Sequence, residues 1–301
     1  MRNERTTMSS WLILVRTFGV AFSLFTVLEI LRSVRAYVST RVSAAAAPSH
    51  GGLRAIVTGL EHSGTTLMAA LLFNAPCAIG SAETGYLLAD SPAEIEAVSP
   101  WFDWNNAGDD TLLLSYGLTP WDLVAMKNAT DFFEMYDVLR RSSRLFNDLD
   151  DEAYCRRPFQ MIDKTPRYVY PEHFEAVLKK TPGVPIIVVK KDYDDQRESW
   201  SRRRGNLTRE FYNKTFENVR EMEGHYPGRI VTIREEDLMT NPDDVMRGVF
   251  RHIGLEWKSE YLNMTGLLRK FSNDTNTSEQ IKQWTFKAGK HSTDIFGKES
   301  D

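Results

Sequence analysis

The chain has 301 residues, 42% hydrophobic and 26% charged, with only 2 Cys, a balance that excludes wholesale disorder and a disulfide-dense scaffold. Thirty-seven Lys and Arg against 41 Asp and Glu give a net charge of −4, which excludes the broadly basic surface of a general nucleic-acid binder. The length fits one large α/β domain with an appendage.

After a polar tail over residues 1–10, Trp11–Leu31 is about as long as a helix that crosses a bilayer core, with Arg16 and Glu29 near its ends. Its uninterrupted apolar middle is only Thr17–Leu28. The segment therefore reads as a single-pass signal anchor, with a cleaved secretory or organelle-targeting segment and a helix of the domain as alternatives. Arginines flank both ends and leave its orientation open. Six Asn-X-Ser/Thr triplets, at Asn128, Asn206, Asn213, Asn263, Asn273 and Asn276, favour a lumenal domain. Ser39–Gly52 has the small, polar, Pro/Gly-punctuated composition of a flexible stem, which is expected over 32–52, with the folded domain over 53–301.

From Leu53 onward short apolar runs alternate with longer amphipathic ones. Leu53–Thr58 reads as a buried strand, Gly59–Gly64 as a loop and Thr65–Phe73 as a helix. A second strand is expected around Ile79, and others at Phe159–Ile162, Val184–Val189 and Arg229–Ile233. Asp131–Leu149, Pro171–Leu178, Asp194–Arg204, Thr208–Glu223 and Asp243–Ile253 have helical spacing, with Asn241 suited to cap the last of them and Pro242 to its first position. The alternation predicts an α/β fold: a three-layer, P-loop-like parallel sheet flanked by helices, with the N-terminal apolar helix outside it. Cys77 and Cys155 have no zinc-ligand company; in an oxidising lumen they either pair or remain two buried thiols. No metal site is expected.

Gly59-Leu60-Glu61-His62-Ser63-Gly64-Thr65-Thr66, between strand and helix, would aim backbone N–H groups and a helix N-terminus at an anion. Gly59 and Gly64 have Walker A spacing, but Thr65 stands where a nucleotide triphosphatase carries its lysine, so a kinase or ATPase is the weaker reading. Ser63-Gly64-Thr65-Thr66-Leu67 resembles the 5′-phosphosulfate loop of sulfotransferases that use 3′-phosphoadenosine 5′-phosphosulfate (PAPS), closest in style to the membrane-associated, protein-tyrosine-like and bacterial-type members. Glu61 and His62 replace the Pro and the basic residue of that loop. The resemblance gives His62, when protonated, the contact to the 5′-phosphate and bridging oxygen, and makes Ser63, Gly64, Thr65 and Thr66 nucleotide-binding.

Lys191 and Ser199 keep the eight-residue step of the family's Arg and Ser, which hold the 3′-phosphate. Arg234-Glu235-Glu236-Asp237-Leu238, Asn241-Pro242 and Phe250–Leu255 resemble a further, architectural segment. Likeness to the family also implies that Glu83 is the base for the acceptor hydroxyl and that Lys164, in Asp163-Lys164-Thr165-Pro166, approaches the sulfuryl group. Lys282 and Lys287 resemble the basic tail that closes over the nucleotide. The aromatics Trp101, Phe102, Trp104, Trp121, Phe132 and Phe133 either wall an acceptor pocket or belong to the core. What this implies is a membrane-anchored, Golgi-lumenal enzyme that binds PAPS and its product PAP and sulfates a hydroxyl of a glycan, protein or small metabolite. A catalytically silent nucleotide-binding relative is the alternative.

Overall fold

The computed structural model describes residues 52–75, 78–80, 83–98, 118–142, 160–202 and 205–262. Among the described residues five strands form one parallel sheet: β1 (Leu53–Gly59), β2 (Ala78–Ile79), β3 (Gln160–Lys164), β4 (Ile186–Lys190) and β5 (Ile230–Arg234), in the order β2-β3-β1-β4-β5. β1 and β4 are buried on both faces, and for that reason they read as continuous apolar runs. The side chains of Ile186, Ile187, Val188 and Val189 are all fully buried, each contributing roughly 1.5–3 kcal/mol of transfer free energy.

Helices cover both faces. On one lie α1 (Thr65–Phe73) and, near the C-terminus, the paired helices α8 (Glu235–Thr240) and α9 (Pro242–His252). Here Met68, Leu72, Leu238, Met246, Val249 and Phe250 pack with Val57, Ile187 and Val189. The i, i+3, i+4 spacing of Met246, Val249 and Phe250 gives α9 a single apolar stripe. Between α1 and α8 in the chain come the short α2 (Ile95–Val98), then α3 (Pro120–Lys127), α4 (Phe132–Ser142), α5 (Phe174–Lys180), α6 (Tyr193–Ser201) and α7 (Arg209–His225). These build the other face on Ile56, Ile186 and Val188. Leu53 joins this second core although Ala55 joins the first, because the register of β1 against β3 shifts between them.

Several expected bounds move. A single 3₁₀ turn at Pro166–Val169 and the turn behind it delay α5 to Phe174, so the helix expected at Pro171 starts a turn later. Pro242 does open α9, but Asn241 makes no side-chain cap bond, since its backbone closes α8 at the same time as it opens α9. Thr208 caps α7 through its hydroxyl, which accepts from the Phe211 N–H at 3.2 Å. Phe132 is core and the partly buried Phe133 packs against that core, whereas Trp121 is 81% exposed on α3 and is not core.

The apolar segment 11–31, most of the stem, Cys77, Cys155, Trp101, Phe102, Trp104, Lys282 and Lys287 lie outside the described residues. Among the described residues no helix is long and apolar enough to cross a membrane, and no group of three or more His, Cys, Asp or Glu could hold a metal ion. Asn128, Asn206 and Asn213 are exposed.

Candidate active site

The loop from Gly59 to Gly64 leaves the carboxyl end of the central strand, the end at which open parallel sheets bind ligands. Its path is tight. A Cβ on Gly59 would sit 2.3 Å from the Val189 carbonyl oxygen and 2.5 Å from Ser63 Oγ, so only glycine lets the loop fold back on β4. His62 adopts φ 66° and Gly64 φ 91°, two left-handed residues that turn the chain into α1. For His62 this conformation is unfavourable, and the surrounding contacts must hold it. Ser63 is fully buried and its Oγ finds no hydrogen-bond partner among the described residues. The first turn of α1 carries no acidic residue. An unsatisfied hydroxyl in a loop that runs into a helix N-terminus suits an oxyanion such as a phosphate or sulfuryl group.

Glu83 and Lys164, 81 residues apart in sequence, meet here. Lys164 Nζ lies 3.0 Å from Glu83 Oε1 and 3.4 Å from Thr66 Oγ1, with the lysine side chain 6% and the glutamate 28% exposed. One ammonium thus links the expected base to the first turn of α1. Both partners are positioned by the buried Asp163, which sequence reasoning did not single out. Its carboxylate accepts from Thr84 Oγ1 at 2.8 and 2.9 Å, from Tyr168 OH at 2.9 Å, from Thr165 Oγ1 at 3.3 Å and from Tyr136 OH. Thr165 Oγ1 in turn accepts the Gly85 N–H at 3.0 Å, and Tyr168 OH the Leu87 N–H at 3.1 Å. The segment that carries Glu83 is therefore pinned to the strand that carries Lys164. Burial pushes the Asp163 carboxyl up from its ordinary range, against the hydroxyl donors, which pull it down. Burial likewise pushes the Tyr136 and Tyr168 phenols well up, so both stay protonated as donors.

The other side of the loop is fixed by Glu61, which is 6% exposed. Its carboxylate accepts from Tyr170 OH at 2.5 Å and pairs with Arg167 Nε at 3.4 Å, while Gln196 on α6 donates to its carbonyl oxygen. The residue that replaces the family's Pro is thus a structural anchor.

Lys191 follows β4 directly, and Ser199 sits half-buried on α6. The lysine does not face an open position: its Nζ is 2.6 Å from Glu235 Oε2. The hydroxyl of Tyr212 on α7 donates to the Lys191 carbonyl oxygen at 2.7 Å and fixes the backbone there. Glu83, Lys164 and Lys191 were candidates by motif resemblance and spacing; Asp163, Glu61 and Glu235 have partners on other segments, Thr84 for Asp163, Arg167 and Tyr170 for Glu61 and Lys191 for Glu235, and no local pattern marks such pairs.

Residues 55–259 match the model of the sulfotransferase family. No curated protein matches the sequence. Among solved structures, the sulfotransferase domain from the Synechococcus PCC 7002 olefin synthase is similar at 17% identity over 70% of this chain and 76% of that one, with a TM-score of 0.50, a likeness of fold alone. The sulfotransferase domain from the curacin biosynthetic pathway shows 18% identity over 69% and 76%, with a TM-score of 0.48.

Proposed function

The chain belongs to the sulfotransferase family, and we propose that it moves a sulfuryl group from PAPS to the hydroxyl of a glycan, protein or small-metabolite acceptor. The observation that carries this reading is the meeting of Glu83, Lys164 and Thr66 at the start of α1, the helix that follows the loop with the unsatisfied Ser63 hydroxyl. PAPS, when bound, supplies an activated sulfuryl group on a phosphate leaving group. Ser63, Thr65, Thr66 and the N–H groups of the α1 start would hold its 5′-phosphosulfate end, with His62 alongside; Lys191 and Ser199 would hold the 3′-phosphate.

The ion pair couples the two halves of the reaction. Glu83 takes the proton of the acceptor oxygen as that oxygen attacks, and in doing so loses the charge that holds Lys164. Lys164, released from its partner, would then be free to donate to the leaving oxygen, where negative charge accumulates as the S–O bond to the nucleotide phosphate breaks. Arg167 and Glu61 hold the loop in shape and take no part in proton transfer. A second reading, a nucleotide-binding relative without transferase activity, is favoured by one observation: the cation expected at the 3′-phosphate is already paired with Glu235. Incubating the full chain with radiolabelled PAPS and a panel of hydroxyl acceptors separates the two. Label transfer to one class of acceptor supports the enzyme; PAP binding with no transfer to any acceptor supports the silent relative.

A further inference from the structure

Among the described residues three cations near the loop are each held by a carboxylate: Lys164 by Glu83, Arg167 by Glu61 and Lys191 by Glu235. Two of these carboxylates have a purpose on the account above. Glu83 is placed to take a proton, and Glu61 is bound by Tyr170 as well as Arg167. Glu235 needs a separate explanation. It is the first residue of α8, immediately beyond β5, and its side chain is 20% exposed. Its Oε2 is 2.6 Å from Lys191 Nζ, while its Oε1 and Cγ are each 3.2 Å from where a Cβ on Gly64 would stand. One carboxylate therefore pairs with the cation after β4 and fills the space beside the glycine that opens α1.

An anion cannot gain Lys191 and also approach Gly64 with Glu235 in this place, because like charges at such separations repel strongly in a partly dry site. Glu235 also has somewhere to go. It lies in the first turn of its own helix, where a carboxylate turned toward solvent is still favoured by the helix dipole. We infer that Glu235 is an anionic gate on the nucleotide site: it holds Lys191 in the empty protein, is displaced when a nucleotide phosphate takes the lysine, and so lowers nucleotide affinity and speeds release of the spent nucleotide. The lysine contributes one mobile point charge, which either anion can claim but which cannot serve both as a rigid fork would. This gate rests on the proposed PAPS site.

The test is calorimetric titration of the full chain with PAP, for wild type and Glu235→Gln, with PAP dissociation followed by stopped flow. The gate predicts that Glu235→Gln binds PAP about tenfold more tightly, chiefly through slower dissociation. Should the Gln variant not fold by thermal melt, Glu235→Ala removes the same charge and is read in the same way. If wild type binds PAP and the charge-free variant binds it equally or more weakly, the gate is wrong and the nucleotide reading stands. If neither protein binds PAP, the nucleotide reading itself falls, and the gate with it.

Discussion

Replacing Asp163 tests how the site is held together. The carboxylate is fully buried and accepts from four hydroxyls, those of Thr84, Tyr136, Thr165 and Tyr168. Taken singly, hydrogen bonds to a charged group are worth about 1.5–3 kcal/mol each, but they do not add, because burial of the carboxylate opposes them, as its raised pKa records. The better guide is the penalty for a buried hydroxyl left without an acceptor, about 1–3 kcal/mol for each that finds no other partner. With two or more of the four stranded, Asp163→Ala should lose about 3–5 kcal/mol, a large part of the ~5–15 kcal/mol typical of a whole domain. Asp163→Asn keeps the volume and one acceptor oxygen but turns an amide N–H₂ toward hydroxyl donors, and should lose about 1–3 kcal/mol. Urea unfolding followed by fluorescence measures both, with a shifted midpoint at unchanged slope as the expected signature. A kinetic readout separates positioning from bulk stability: with Thr84 released, Glu83 loses its place, so turnover of the folded Asn variant should fall while PAP affinity holds. The network is not as described if Asp163→Ala costs less than about 1 kcal/mol, or if the Asn variant turns over like wild type.

Glu83→Gln should remove most turnover and leave PAP binding intact, because the amide cannot take the acceptor proton; an unchanged kcat would end its role as base. Lys164→Ala should lower kcat more than it raises the acceptor KM, since its ammonium serves charge that develops during transfer; a change in KM alone would make it a binding residue. His252 is half-buried against the Arg229 carbonyl, and burial pushes its imidazole below the ordinary histidine value. Protonation therefore favours the unfolded chain, so this contribution is intact above about pH 6.5 and is lost as pH falls through the lowered folded-state value. His252→Gln should flatten that part of the stability profile, and an equal slope in both proteins would exclude the residue as its source.

Much of the frame was legible from local pattern. Thr65–Phe73 has the same bounds in sequence and structure, and β1 runs one residue past its expected end, because a buried strand, a glycine loop and an apolar helix each carry a strong local signal. The eight-residue step from Lys191 to Ser199 likewise lies within one strand-to-helix connection. What stayed hidden is pairing between distant segments. Nothing in the spacing of Glu83, Lys164, Lys191 or Glu235 reveals that the first two meet at 3.0 Å or the last two at 2.6 Å. Asn241 shows the converse failure: a favoured cap residue stands in the right place, yet with α8 ending on it, its side chain makes no cap bond.

The central claim is that the loop Gly59–Thr66, with Lys164 and Lys191, forms the site of a 3′-phosphorylated adenine nucleotide. Calorimetric titration of the full chain with PAP, beside ATP and Mg²⁺ as the competing ligand, tests it most directly. The account predicts saturable PAP binding with a Kd near the micromolar range, ~−8 kcal/mol, and far weaker binding of ATP. No heat of PAP binding up to millimolar concentration, or tighter binding of ATP with Mg²⁺, would contradict it.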